Sequence, residues 1–358
     1  MAKFTLPISP EYVAHWGLWE AVREIYQNAL DEQTHDSTCA ATIDYDVELN
    51  NIRVATTKGA LSPESLVLGK TSKRNDVSQR GKFGEGYKLS LLVLSRLGLD
   101  VEVYTNGERW VPKLEHDETF NSTVLNIYTE VFEPRNDGVE FLIMGIEANQ
   151  WEDIRKNIRS DAGDYNVILE RPSEQGRIYV GGLFVTTIKN FRCGYSFRPD
   201  TIKLDRDRGM VSGFDLAWET SKLWTENGGK KAVELMNQGA PDVEYVESHA
   251  KPSSTLSLHT ETYFHTAHGY DAVPVTTQDE IERASKAGMK WILVPQAVQN
   301  VLRMVKSWFI PTTKSPAEQL RDFRQKYEWR MTAEMKHDLD GIIQTLDPKE
   351  ESLTGFAS

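Results

Sequence analysis

Apolar residues recur at helical spacing in two stretches of the first 100 residues. The first stretch covers residues 11–32, and Ser9 with Pro10 supplies a capping residue and a proline for its first turn. The second covers residues 87–97 and stops at Gly98, a residue that commonly follows a helix. The pattern therefore predicts two helices in this part of the chain.

Alternating apolar and polar positions predict six strands, at residues 41–49, 52–57, 101–104, 109–114, 123–131 and 139–146. Asn50 and Asn51 lie between the first two and predict a hairpin turn. The order is helix, hairpin, loop, helix and then meandering strands. This order predicts an α+β sandwich, with helices on one face of a mixed, mostly antiparallel sheet.

The pattern predicts two further regions after this sandwich. Residues 149–240 carry strand patterns, a hairpin turn at Gly181 and Gly182, and a long helix over residues 214–236, which together predict a second α+β domain. Residues 237–257 are polar and predict a linker. A strand–helix–strand–helix pattern and two more helices follow. We therefore divide the chain into domains at residues 1–148, 149–240 and 241–358.

Composition narrows the class of protein. The 358 residues carry 41 Lys and Arg against 53 Asp and Glu, a net charge of −12, which argues against a protein that coats nucleic acid over its whole surface. Two cysteines, Cys39 and Cys193, are too few for a disulfide framework. The start of the sequence lacks a signal-peptide pattern, and no run of eighteen apolar residues occurs. We expect a soluble cytoplasmic protein without membrane contact.

Three polar residues, Glu24, Asn28 and Asp31, share one face of the first predicted helix, because positions i, i+4 and i+7 lie above one another. The carboxylate of Glu24 can take a proton from an attacking water. The amide oxygen of Asn28 can ligate a hard cation such as Mg²⁺. The alternative is an ordinary solvated helix face, which carries the same residue types.

A basic, glycine-rich segment precedes the second predicted helix. Gly81, Gly84 and Gly86 follow the spacing Gly-x-x-Gly-x-Gly, which lets backbone N–H groups approach an anion, and a helix N-terminus favours negative charge. Residues 70–88 hold six basic and two acidic side chains, a net charge of +4 in an acidic chain. The segment is predicted to bind phosphate as a lid. The alternative is a solvated loop in front of a helix.

The string Glu-x-x-x-Asn-Ala-x-Asp, followed by Gly-x-x-Gly-x-Gly before another helix, resembles the GHKL superfamily over residues 11–146. That group joins DNA gyrase, the ninety-kilodalton heat-shock chaperones, histidine kinases and the MutL mismatch-repair proteins, and the layout is most similar to the chaperone and MutL branches. The resemblance implies a Bergerat-type fold that binds ATP and Mg²⁺. It also implies that Glu24 is the general base, that Asn28 ligates the metal and that Asp31 belongs to the nucleotide site.

The resemblance extends to further residues and to a transducer-like second domain. It implies phosphate or lid contacts from Lys73, Gly81, Lys82, Phe83, Gly84, Gly86 and Lys88. It also suggests that Lys189 or the cluster at residues 205–208 supplies a basic residue to the γ-phosphate, and that the chain forms a nucleotide-dependent homodimer.

One motif departs from the family. Thr57 stands where an aspartate normally accepts a hydrogen bond from the adenine amino group, and Gly59 is the one glycine retained after it. The loss of that charge-assisted bond weakens adenine recognition by roughly 1 kcal/mol.

A second basic segment, residues 296–336, has eight basic and four acidic side chains with aromatic residues between them. It predicts contact with nucleic acid or with an acidic protein. The alternative is a set of packed amphipathic helices with a charged outer face.

Together these patterns indicate a Mg²⁺-dependent ATPase in which nucleotide closes the lid and so changes how residues 150–358 meet a macromolecular partner. The alternative is a degenerate GHKL-type binding module that hydrolyses nothing. The missing aspartate at Thr57 favours the module, whereas the retained Glu24 favours the ATPase.

Overall fold

The structure is a computed structural model that describes residues 1–67, 86–133, 137–159, 165–202, 204, 213–305 and 316–346. These residues form two compact units. The first holds Met1–Asn227 and Ala240–His249, and the second holds Gly228–Gly239 and the described residues from Ala250 onward. The stretches before and after residue 148 both belong to the first unit, so the three-part division of the chain stays a prediction.

The first unit opens with a seven-stranded sheet and two helices. In chain order these are β1 (Ala2–Leu6), α1 (Leu18–His35), β2 (Ala41–Asp46), β3 (Asn51–Thr56), α2 (Gly86–Arg96), β4 (Val101–Thr105), β5 (Glu108–Asp117), β6 (Ser122–Val131) and β7 (Val139–Met144). The strand order is β1-β6-β5-β4-β7-β3-β2, and every neighbouring pair is antiparallel. The predicted α+β class and the large antiparallel sheet are confirmed.

Helices α1 and α2 pack against each other and against one face of this sheet. Val22 and Ile25 of α1 and Leu91 of α2 join the inward residues of the strands in one apolar core. Alternation along each strand sends the remaining side chains to the opposite face, where Arg53 and Glu140 form an ion pair at 2.8 Å. The polar face of α1 that carries the predicted site therefore lies beside α2.

The first helix starts later than its sequence pattern predicts. It begins at Leu18, and Val13, predicted to be helical, has a left-handed backbone with φ of 48°. Gly17 is the N-cap, and its N–H donates to Glu20 Oε2 at 2.8 Å, which satisfies one of the free amides at the helix start. The apolar spacing continued through residues that are a turn, so the predicted start at residue 11 was wrong.

The rest of the first unit is a four-stranded sheet with short helices. Its elements are α3 (Ala148–Arg155), β8 (Val167–Leu169), β9 (Arg177–Val180), β10 (Leu183–Thr187), β11 (Gly194–Phe197) and α4 (Gly213–Asn227). The strand order is β10-β9-β11-β8, and the predicted hairpin at Gly181 and Gly182 joins β9 to β10. Strand β11 runs parallel to β9 and was not predicted.

The long helix predicted over residues 214–236 is two helices, α4 and then α5 (Lys230–Asn237), separated at Gly228 and Gly229. A Cβ at Gly228 would lie 2.8 Å from the backbone nitrogen of Leu256, so glycine permits this close approach. The long helix was a wrong prediction, because the apolar pattern continued across the two glycines.

The predicted linker also contains packed structure. A short helix, α6 (Val246–His249), lies within it, and the fully buried Asp242 accepts hydrogen bonds from the backbone N–H groups of Arg192 and Cys193 and from the Tyr195 hydroxyl at 2.5 Å. Burial and the nearby carboxylate raise the pKa of Tyr195. The polar composition of residues 237–257 suggested a linker, whereas Asp242 in this segment is buried and hydrogen-bonded.

The second unit continues after α5 with α7 (Thr255–His268), β12 (Ala272–Val275), α8 (Gln278–Lys286), β13 (Lys290–Leu293), α9 (Gln296–Val305), α10 (Pro316–Tyr327) and α11 (Ala333–Leu346). Strands β12 and β13 are parallel, as their connection through α8 requires. The predicted strand–helix–strand–helix order and the two last helices occur as expected.

Glu280 organises the polar interior of this unit. Its carboxylate accepts hydrogen bonds from the Thr276 N–H at 2.8 Å, from the Gln299 amide at 2.8 Å and from the Arg303 guanidinium at 2.6 Å. Burial raises the pKa of Glu280, but these bonds outweigh it and lower the pKa to about 2.

We expect Glu280→Gln to lower the free energy of unfolding by on the order of 2 kcal/mol at pH 7. A depressed folded-state pKa stabilises above the unfolded pKa near 4.5, and this stabilisation is lost as the pH falls toward 2. The free energy of unfolding, measured with urea, should therefore differ less between wild type and variant at about pH 3 than at about pH 5. The exposed Glu282→Gln on the same helix is the control and should match wild type. A pH-independent difference would contradict the assignment.

Candidate functional site

The polar residues predicted on α1 do lie along one side of the helix, but in different degrees of burial. Glu24 is 3% exposed and Asp31 is fully buried, whereas Asn28 is half-buried. Among the described residues, no hydrogen bond involves the Asn28 amide, so its oxygen is available to a ligand. A buried carboxylate one turn from an accessible amide fits a proton acceptor beside a metal ligand.

The start of α2 lies directly against Glu24. A Cβ built on Gly86, the first residue of α2, would lie 2.6 Å from Glu24 Oε2, closer than Cβ atoms approach in real structures. Only a glycine therefore fits there with the carboxylate in its present position. The structure thus brings together the two signals that the sequence gives separately, the acid on α1 and the glycine-rich stretch that ends at α2.

Glu24 also has a buried cationic neighbour that the sequence analysis did not identify. The Arg23 guanidinium donates to Glu24 Oε1 at 3.3 Å, and both side chains are about 95% buried. Gln27, one turn further, is 4% exposed, and its amide nitrogen finds no hydrogen-bond partner among the described residues. Arg23 and Gln27 lie close to Glu24 in the sequence of α1, but neighbouring polar residues on a helix are too common to mark a site.

The two ends of the glycine-rich stretch are held close together. Lys88 is fully buried, and its ammonium donates to the Val67 carbonyl at 2.7 Å. The hydroxyls of Tyr87 and Ser65 are hydrogen-bonded at 2.7 Å, and burial raises the pKa of Tyr87 to about 12. In this structure Lys88 therefore holds the chain at Val67, whereas the resemblance implied a contact with phosphate.

Thr57 and Gly59 lie where β3 ends. The Thr57 hydroxyl oxygen accepts the Ala40 N–H at 2.9 Å, which closes the β2–β3 ladder with a side chain. Gly59 has φ of +94°, a conformation that favours glycine, and its missing Cβ would touch Glu32 of α1 at 3.4 Å. The hydroxyl of Thr57 is thus already bonded to the backbone, and its expected contact with adenine stays a prediction.

Several predicted contacts fall outside the described residues. These are Lys73, Gly81, Lys82, Phe83 and Gly84 of the glycine-rich stretch and the charged cluster at residues 205–208. Lys189, the other residue suggested for the γ-phosphate, lies exposed in a turn.

Three of the basic residues near the C-terminus form ion pairs with acids. Arg303 pairs with Glu280 at 2.6 Å, Arg324 with Asp340 at 2.7 Å, and Lys336 with Glu328 at 3.5 Å. Lys326 and Arg330 lie over aromatic rings and have no acidic partner among the described residues, so the predicted contact of this segment with nucleic acid or an acidic protein stays a prediction.

Among the described residues, no group of three or more His, Cys, Asp or Glu side chains could hold a metal ion. No helix of the described chain is both long and apolar enough to cross a membrane. A magnesium site here would rest on the Asn28 amide together with ligand oxygens and water, a form of binding that Mg²⁺ commonly adopts.

Comparison with known proteins adds little to these observations. No protein-family model matches the chain. An uncharacterized protein of Mycoplasma pneumoniae (strain ATCC 29342 / M129 / Subtype 1) is 23% identical over 206 residues, which cover 54% of this chain and 83% of that protein. The crystal structure of the ATPase and transducer domains of DNA topoisomerase II from Balamuthia mandrillaris is 18% identical with a TM-score of 0.24, over 37% of this chain and 38% of that chain. A TM-score this low carries no conclusion on fold or function.

We expect Gly86→Ala to destabilise the first unit by about 1–3 kcal/mol, because the new methyl group must displace the Glu24 carboxylate or α2. The matched control is Gly213→Ala, also at the first residue of a helix, where a Cβ would meet no described atom within 4 Å. Urea unfolding of both variants measures the effect. Equal stability of the two would show that Gly86 and Glu24 are not in contact.

Proposed function

We propose that residues 1–148 bind a nucleoside triphosphate with Mg²⁺ and hydrolyse it, with Glu24 as the general base. One observation supports this assignment above the others: the missing Cβ of Gly86 leaves room for a buried carboxylate where the basic, glycine-rich stretch meets a helix N-terminus. Such a helix start stabilises phosphate oxygens, and the adjacent carboxylate can take the proton of the attacking water.

The residues present fit such a ligand. Asn28 would hold the metal through its amide oxygen, and the bound ion would supply positive charge to the phosphates. Glu24 would orient the water and accept its proton. The Arg23 guanidinium, paired with Glu24 at 3.3 Å, holds that carboxylate in one place.

ATP is the proposed nucleotide because of the resemblance to the GHKL superfamily. Closure of residues 81–86 as a lid, a nucleotide-dependent homodimer and action on a protein or nucleic-acid partner belong to the same proposal. The alternative function is a binding module without hydrolysis. Two observations favour it: the Thr57 hydroxyl is bonded to Ala40, and the Lys88 ammonium is bonded to Val67.

Glu24→Gln should bind ATP with wild-type affinity and lose hydrolysis, by at least about 100-fold, because the amide cannot accept the proton of the attacking water. The matched control is Glu140→Gln, which also removes a buried carboxylate paired with an arginine but on the opposite face of the sheet. That control should lose stability and keep turnover. The measurements are phosphate release and nucleotide affinity. Wild-type turnover in Glu24→Gln would exclude Glu24 as the base, and binding without turnover in wild type would support the module.

Asn28→Ala should lose the Mg²⁺-dependence of nucleotide binding, since the amide oxygen is the one protein ligand proposed for the metal. Asn28→Asp, which keeps an oxygen ligand at the same place, should retain it. Titration of ATP by calorimetry with Mg²⁺ and with EDTA compares the three proteins. If wild type binds ATP equally well under both conditions, Asn28 has no role in holding a metal.

A further inference from the structure

Strand β2 is one edge of the seven-stranded sheet, and part of its backbone is unpaired. Thr57 N–H donates to the Ala40 carbonyl at 3.0 Å, and alternate residues of β2 from there onward face β3. The N–H and C=O groups of Ile43 and Tyr45 therefore point away from the sheet. Among the described residues they have no hydrogen-bond partner, whereas the Ala41 N–H is covered by Gln33 at 3.4 Å.

The side chains beside this free edge are acidic. Asp44 and Asp46 are exposed on the sheet face opposite α1 and α2, and Asp44 lies directly across from Arg53. Arg53 instead bonds Glu140, so the Asp44 carboxylate has no partner within the described chain. Edge strands that avoid pairing usually carry charged side chains, proline or a bulge. Strand β2, with sequence Ala-Thr-Ile-Asp-Tyr-Asp, has no proline or bulge, and its two charged side chains are both acidic, so they would repel an acidic segment and attract a basic one.

An open pocket of about 850 Å³ borders the same strand. Its lining includes Asp44, Asp46, Glu48 and Asn51. Asn51 is 8% exposed, and the lining also includes Arg53 and Glu140, which pair with each other.

The edge is also held in shape. The Tyr45 hydroxyl donates to the Ile146 carbonyl at 3.0 Å, and its ring stacks on Trp151 with centroids 5.6 Å apart. A strand fixed from its inner side can accept a neighbour without first being ordered, which reduces the entropic cost of binding.

We propose that β2 binds an extended, basic segment of a partner protein as an eighth strand of the sheet. Backbone hydrogen bonds to Ile43 and Tyr45 supply affinity, as in other cases of strand addition. Because side chains alternate, Lys or Arg at every second position of that segment would face Asp44 and Asp46. This surface is separate from the α1–α2 site, so the inference goes beyond the proposed nucleotide chemistry.

The test uses synthetic peptides and the full chain. The probe is an acetylated, amidated peptide of alternating lysine and valine flanked by threonine. One comparison peptide has glutamate in place of lysine, and another keeps every side chain but carries N-methyl groups on the amides that would face β2. We expect the first peptide alone to bind, and we expect it to slow hydrogen exchange at the Ile43 and Tyr45 amides.

Charge reversal at Asp44 provides the matched variant. Asp44→Lys should weaken peptide binding on the order of tenfold, because an attractive cross-strand pair becomes a repulsive one. Glu118→Lys, also a charge reversal of an exposed acid but in the turn between β5 and β6, should leave the affinity within about twofold, since charges further apart than a Debye length are screened. Both positions are exposed, and unchanged urea unfolding verifies that each variant folds.

Several results would overturn the proposal. Equal binding of the N-methylated peptide would show that the backbone edge is not used, and equal binding of the glutamate peptide would remove the role of charge. Protection of Ile43 and Tyr45 without peptide, rising with protein concentration, would identify a second copy of the chain as the occupant. No binding by the lysine peptide would refute the proposal outright.

Discussion

The contact between Gly86 and Glu24 joins the two helices that cover the large sheet. A carboxylate only 3% exposed can stay inside an apolar packing layer only if it is paired and hydrogen-bonded, and the guanidinium of Arg23 supplies that pairing. A Cβ at the first residue of α2 would lie 2.6 Å from Glu24 Oε2, so a side chain there would require the end of the Glu24 side chain to move. The position of α2 and the position of the carboxylate are therefore coupled, and the apolar residues of both helices then fix the sheet beneath them.

The same helix start explains how the glycine-rich stretch is anchored. Lys88 and Tyr87 of α2 reach back to Val67 and Ser65, so the two ends of residues 68–85 are fixed close to one place. Bringing together residues about 20 apart in the sequence costs chain entropy, and these two hydrogen bonds offset part of the cost. Lys88 thus stabilises the fold through its hydrogen bond to Val67. The motif did not predict this bond, because the spacing of residues in a sequence does not show which carbonyl lies near the ammonium.

The sequence predicted elements well where one period dominated. Six of the seven strands of the large sheet, the hairpin at Gly181 and Gly182 and the strand–helix order from β12 to α9 followed from alternation and turn residues. Strand β1 and helix α7 were not predicted. Prediction from the sequence failed where a long-range contact decided the outcome. The segment before Leu18 has helical spacing, yet Arg96 of α2 donates to the carbonyls of Pro10 and Trp16 and holds it as turns.

The candidate site shows the same limit. The residue types of Glu24, Asn28 and Gly86 and their places on two helices could be predicted. The contact between Glu24 and Gly86 could not, since these two positions are 62 residues apart in the sequence. The burial of Asp242 and the backbone bond of the Thr57 hydroxyl likewise depend on partners distant in sequence. The functional groups of the site could thus be predicted from residue type, whereas the contacts between them depend on the fold.

The β2–β3 hairpin lies between the free edge of the sheet and the α1–α2 site, because Ile43 belongs to β2 while Thr57 and Gly59 follow β3. A hairpin could transmit a signal between them only if it had two stable arrangements. Ile52 and Val54 of β3 are fully buried beneath the helices, and a slip of one residue would turn both toward the opposite face of the sheet. The register of this hairpin is therefore fixed, so a strand added at β2 would leave the α1–α2 site unchanged unless the added strand itself reached it.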